Sequence, residues 1–119
     1  MNHIELGQAG ENIAVNHLIS IGHEIIVRNY TWKKSEIDIV SKLENQLIIT
    51  EVKTRNSDAL GKPYLSVNKR KQQQIIKVTN QFIIENDVNE EIRFDIISIV
   101  LNRNRMNLEH IENAFYPLR

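Results

Sequence analysis

Apolar positions recur at helical spacing near the start of the chain. Leu6, Ala9, Ile13, Ala14, Leu18 and Ile21, with His17 among them, predict a helix over residues 5–21 that stops at Gly22. The pattern then changes. EIIVRNYTW (24–32) is a β-branched and aromatic run, and SEIDIVS (35–41) and QLIITEVKTR (46–55) follow it around a short LENQ turn. These predict three strands, the last two forming an antiparallel hairpin. NSDALGKPYL (56–65) carries turn residues and reads as a loop. A second long helix follows, with Ser66 as its expected cap and Ile75, Ile76, Val78, Thr79, Phe82 and Ile83 as its apolar stripe. IRFDIISIVL (92–101) predicts a fourth strand, NRNR a turn, and LEHIENAF a short last strand or helical turn. The order α-β-β-β-α-β-(β) predicts an α/β fold, a mixed sheet with helices covering it. The strand after the second helix is expected to run parallel to its neighbour.

A length of 119 residues predicts one domain over 1–119, with 41% hydrophobic and 25% charged residues, ordinary for a globular protein. The absence of cysteine excludes disulfides and thiolate metal sites. No apolar run approaches the ~18 residues of a membrane span, and MNHIELGQAGEN does not have the form of a signal peptide. The expectation is a cytoplasmic, soluble domain without membrane contact. The formal net charge of zero hides an asymmetry: residues 28–77 hold eleven Lys or Arg against five Asp or Glu. A basic middle segment weakly favours an anionic partner.

The hairpin raises a chemical question. Glu44 and Asn45, taken as the centre of a type I′ turn, pair residues whose numbers sum to 89. Asp38 then faces Glu51 and Glu36 faces Lys53. Directly opposed carboxylates repel, and burial makes the repulsion worse. Lys53 shares a strand face with Glu51, yet one ammonium does not offset this much negative charge. A divalent metal does, and hard oxygen ligands without His or Cys suit Mg²⁺ or Mn²⁺. Such a site is suited to hydrolysis of a phosphodiester, with Lys53 orienting water or meeting developing negative charge. Glu11 lies on the apolar stripe of the first helix, with Gly7 and Gly10 beside it, where small residues permit close approach. The competing reading makes Asp38 and Glu51 solvent-facing, with Lys53 and Arg55 as salt-bridge partners. In that reading Glu11 is a boundary residue, and Lys69, Arg70 and Lys71 are a solvated helix start. The four histidines show no ligand spacing and read as structural or surface residues.

Asp38, twelve intervening residues and Glu51-Val52-Lys53 resemble the PD-(D/E)xK nuclease motif. GQAGENIA (7–14), RNY (28–30), SEID (35–38), TEVKTR (50–55), VNKRKQ (67–72), RFDII (93–97) and the final HIENAF (110–115) together resemble the YraN family of uncharacterised bacterial proteins. The likeness spans nearly the whole chain. It implies a restriction-endonuclease-like three-layer fold, similar in layout to archaeal Holliday-junction resolvases. On that likeness Glu11, Asp38, Glu51 and Lys53 fall on catalytic positions. Asp38 and Glu51 would hold the metal with the Val52 carbonyl, and Glu11 would bind it directly or through water. Lys71 matches a basic position of the family. With Lys69, Arg70, Arg55 and Lys62 in the adjoining loop, it would meet the phosphate backbone of nucleic acid, DNA by expectation. The resolvase likeness further implies a homodimer presenting two sites to two strands. The chain departs from the family pattern at Ser35, where Gly is usual, and at the hairpin turn, where Asp-Gly is usual. Two functions remain open: a metal-dependent nuclease, or a non-catalytic nucleic-acid-binding or scaffolding module on the same fold.

Overall fold

The computed structural model describes residues 1–117. Helix α1 spans His3–Ser20 and is opened by a capping box. The Asn2 side chain accepts the Glu5 N–H, and the Glu5 side chain accepts the Asn2 N–H. That reciprocal pair starts the helix two residues before the expected point. Gly22, at φ 99°, then turns the chain into β1, Glu24–Trp32. Strands β2 (Ser35–Leu43) and β3 (Gln46–Arg55) form the expected hairpin. A 3₁₀ turn at Pro63–Ser66 leads into α2, Lys69–Asn86. Strands β4 (Glu91–Leu101) and β5 (Met106–Phe115) complete the chain.

The sheet order is β1-β2-β3-β4-β5, antiparallel except for the parallel β3–β4 pair. Successive β4 residues face opposite layers. Phe94 and Ile96 join Val40, Leu47 and Ile49 beneath Ile75, Val78 and Phe82 of α2. Ile97 and Ile99 join Ile39 beneath Ala14 and Leu18 of α1. The central strands β2, β3 and β4 are therefore buried on both faces along their middles, which explains their continuous apolar runs, whereas the edge strands β1 and β5 stay largely exposed. Helix, sheet and helix form the three layers of a restriction-endonuclease-like fold.

Four local expectations need correction. The left-handed backbone of the hairpin turn falls on Glu44 (φ 54°) and not on Asn45, so the turn is not type I′. Its register still sums to 89, from Leu43 with Gln46 to Ile39 with Thr50. The α2 cap is Asn68, whose Oδ1 accepts the Lys71 N–H, because Ser66 is occupied in the preceding 3₁₀ turn. The last element is a full ten-residue strand. Of the two glycines beside Glu11, only Gly10 makes a close approach. A Cβ there would lie 1.8 Å from Thr54 Oγ1, whereas one at Gly7 would meet nothing within 4 Å.

Three histidines are structural, as the sequence suggested. His17 Nε2 and His110 Nδ1 share a 3.0 Å hydrogen bond, and His110 Nε2 lies 2.7 Å from Asp95 Oδ2. Arg93 donates to both Asp95 oxygens at 2.9 Å, and the Asn113 N–H donates to Asp95 Oδ1. His23 Nδ1 pairs with Ser41 Oγ at 2.8 Å. This network pins the second half of α1 to β4 and β5, and so sets the position of its first half over the sheet end.

Candidate functional site

The β2–β3 ladder ends at Ile39 and Thr50, and the strands part at the next pair, Asp38 and Glu51. Asp38 Oδ2 accepts the Val52 N–H at 2.8 Å. A carboxylate thereby takes the place of a strand carbonyl and is held at the fork. Both acids are buried, Asp38 to 9% exposure and Glu51 to 6%. The Asp38 carboxyl is pushed up to about 8. Burial is the largest cause. The Glu51 carboxylate follows, through hydrogen bonding and repulsion, while the Val52 N–H opposes the shift.

Lys71 is the cation that reaches this pair, its Nζ 3.7 Å from Glu51 Oε2. The same oxygen is buried and has no hydrogen-bond partner. Lys71 comes from the first turn of α2, where the Asn68 cap fixes it. Lys53 instead lines an open cleft of about 710 Å³ together with Glu11, Glu36, Asp38, Val52 and Arg55. The cleft is where α1 overhangs the parted strands.

Glu11 enters the cleft from α1, but its oxygens are engaged. Arg28 Nη2 donates to Oε1 at 3.2 Å and Asn29 Nδ2 to Oε2 at 3.1 Å. The left-handed φ of 53° at Asn29 breaks the regular course of β1 beside this contact. Asn is among the residues that tolerate that conformation. Glu36 adds another acid to the cleft. Its pKa is raised by burial first, then by repulsion from Asp38 and Glu11. Sequence reasoning noted its charge but left it out of the site. Its place two residues before Asp38, on the same strand face, was the available signal. Arg28 and Asn29 were visible only within the RNY motif.

The structure thus brings Glu11, Asp38, Val52, Lys53 and Arg55 to one cleft, with Glu51 and Lys71 behind the Asp38 fork. Lys69 and Arg70 are exposed at the α2 N-terminus, and Lys62 pairs with Asp58 at 3.3 Å. Among the described residues no group of three or more His, Cys, Asp or Glu is arranged to hold a metal ion.

The sequence profile described as Uncharacterised protein family UPF0102 matches residues 10–99. The chain belongs to this family. It is 44% identical over 114 residues to a UPF0102 protein of Flavobacterium psychrophilum, covering 96% of each chain. It is 45% identical to a UPF0102 protein of Clostridioides difficile, covering 97% of this chain and all of the relative. A relative from Thermodesulfovibrio yellowstonii is 43% identical over 98% of this chain and the whole of its own length. Family membership agrees with the motifs read from the sequence, and the architecture around the cleft is nuclease-like. Among the described residues no helix is long and apolar enough to cross a membrane.

Proposed function

We propose that this UPF0102 protein is a nucleic-acid-binding module on a nuclease-like fold, gripping a phosphate backbone along its cleft and the start of α2. The observation that carries this reading is a set of cations that no carboxylate neutralises among the described residues. Lys53, Arg55, Lys69 and Arg70 have no carboxylate within salt-bridge distance among the described residues. The first turn of α2 holds three cations and no acid. Positive side chains at the positive end of a helix are locally unfavourable, and an anion lying across them relieves that cost. Phosphate contacts of this kind are salt-dependent and blind to sequence. Binding without catalysis is favoured because the site acids already have partners within the protein: Glu11 in Arg28 and Asn29, Asp38 in the Val52 N–H, Glu51 in Lys71.

A second reading, metal-dependent phosphodiester hydrolysis, is favoured by one specific observation. Glu51 Oε2 is a buried oxygen beside Asp38 that accepts no hydrogen bond and meets Lys71 only at 3.7 Å. Two hard carboxylates suit Mg²⁺ or Mn²⁺, which commonly keep several waters and need only one or two protein carboxylates. Asp38 and Glu51 would hold the ion, with the Val52 carbonyl, and Glu11 through water. Bound there, the ion would polarise a phosphoryl oxygen. Lys53 would orient the attacking water from the cleft wall, and Arg28 would keep Glu11 turned toward the site.

Labelled single-stranded, duplex, flap and four-way-junction DNA, each with Mg²⁺, Mn²⁺ or chelator, separates the two. Binding that survives chelator and Asp38→Asn, without cutting, is the expected result. Metal-dependent cutting lost in Asp38→Asn and Lys53→Ala would overturn the binding-only reading and establish hydrolysis. Sedimentation of the free and DNA-bound protein tests the homodimer that the resolvase likeness implies.

A further inference from the structure

Next to the first cleft lies a second one, of about 500 Å³, in the segment between β3 and α2. Its lining includes Ala59, Leu60, Pro63 and Leu65, with Arg55 and Lys62 at its rim. Arg55 lines both clefts. Leu60 is fully exposed, at 103%, and Leu65 is 63% exposed. A single exposed leucine is ordinary, but two facing one concave site are less so.

The segment that carries these leucines is braced on several sides. The Gly61 N–H closes a turn on the Asp58 carbonyl at 3.0 Å. Asp58 receives Lys62 at 3.3 Å and Arg105 at 3.0 Å. Asn102 Nδ2 holds the Asn56 carbonyl, and the Tyr64 N–H donates to Ser98 Oγ. Gly61 has φ 117°, and a side chain there would press on Leu65 at 3.1 Å. The turn therefore presents Leu60 and Leu65 to solvent as a fixed feature. Among the described residues neither leucine belongs to a hydrophobic core cluster.

We propose that this second cleft is a nucleobase subsite that takes one unstacked base of a strand whose phosphate lies against Arg55. The inference rests on the nucleic-acid reading above and narrows it to a ligand class. A base has two flat apolar faces that aliphatic side chains cover, and it arrives attached to an anion that attracts the Arg55 guanidinium, which has no carboxylate partner among the described residues. In intact duplex both faces are already covered by neighbouring bases. The subsite therefore selects single-stranded or locally unpaired nucleic acid, the class in which bases are available to splay out.

The test uses the full chain and single-stranded oligonucleotides carrying 2-aminopurine at one internal position, with an abasic oligonucleotide as its partner. Binding is read by anisotropy and base unstacking by 2-aminopurine emission. The expected result is tighter binding of single strands than of duplex, a rise in emission on binding, and a several-fold loss of affinity for the abasic strand. Leu60→Ser/Leu65→Ser, at exposed positions and checked for an unchanged circular dichroism spectrum, should abolish the emission rise. It should leave the salt dependence as in the wild type. Binding with unchanged emission, or a leucine variant that behaves as wild type, overturns the subsite while the nucleic-acid reading stands. Failure to bind any oligonucleotide overturns both.

Discussion

The Asp38 side-chain carboxyl accepts the Val52 N–H at 2.8 Å one step beyond Ile39 and Thr50, the last paired residues of the central hairpin. It holds the strand fork open and keeps a carboxyl group buried beside Glu51. Because its folded pKa is raised to about 8 from an ordinary value of 3.8, the native protein holds a proton there that the unfolded chain has released. Stability from this group is full below about pH 3.8 and is lost as pH rises through about 8. Asp38→Asn keeps an acceptor for Val52 and removes the titration. Thermal unfolding in chelator should show the variant more stable at pH 8 by about 1 kcal/mol or more, roughly 4 °C in Tm. Equal Tm values at pH 8 would show that the carboxyl is not strained in the apo protein.

Glu51 and Lys71 should behave as a partnered charge at the edge of the core. Lys71→Met leaves a buried carboxylate without its cation and should cost roughly 1–2 kcal/mol, reduced from the fully buried case because Lys71 is partly solvated. Glu51→Gln in the same chain should recover most of that loss. Denaturant titration of both single variants and the double variant measures the interaction. An additive cycle would mean that the 3.7 Å contact contributes nothing.

Gly10→Ala tests how α1 is seated. The added methyl would fall 1.8 Å from Thr54 Oγ1, so helix and strand must separate. The expected cost is about 1–3 kcal/mol. The double variant with Thr54→Ala, which clears the obstructing hydroxyl, should restore part of it. Gly7→Ala, which meets open space, should be neutral or slightly stabilising.

Acid sensitivity should come from the histidine network. Burial is the largest cause holding both His17 and His23 below their ordinary pKa of 6.5. The neighbouring His110 lowers both further, and Arg93 also lowers His23, while Asp95 and Glu112 oppose the shift at His23. The unfolded chain therefore binds protons that the native state excludes. Their contribution to stability is complete above pH 6.5 and is lost as pH falls below it toward the lowered folded values. Tm measured from pH 7.5 to pH 5 should decline, and His17→Gln should flatten part of the slope. An unchanged slope would place the acid sensitivity elsewhere.

Reversing Lys69 and Arg70 to Glu should weaken nucleic-acid binding and lower the salt slope by about one for each phosphate that the variant no longer neutralises. The fold should be unaffected, since both side chains are exposed. A salt slope unchanged in the variant would remove the α2 N-terminus from the binding surface.

The element order, the hairpin register and the opposition of Asp38 to Glu51 were all determined by the chain itself. Side-chain alternation is a local property, and a two-residue connection leaves little choice of pairing. The sequence also marked Glu11 as inward-facing, because a charge on an apolar helical stripe violates a short-range pattern. Tertiary structure decided how those groups are neutralised. That Lys71 rather than Lys53 reaches Glu51 depends on where α2 docks, twenty residues along the chain. That Arg28 and Asn29 hold Glu11 depends on a left-handed residue within β1. The His17–His110–Asp95 network joins residues more than ninety positions apart and has no sequence period to betray it. Local patterns encode which face a side chain takes; the partner on the other side comes from a distant element, and only packing of the layers brings the two together.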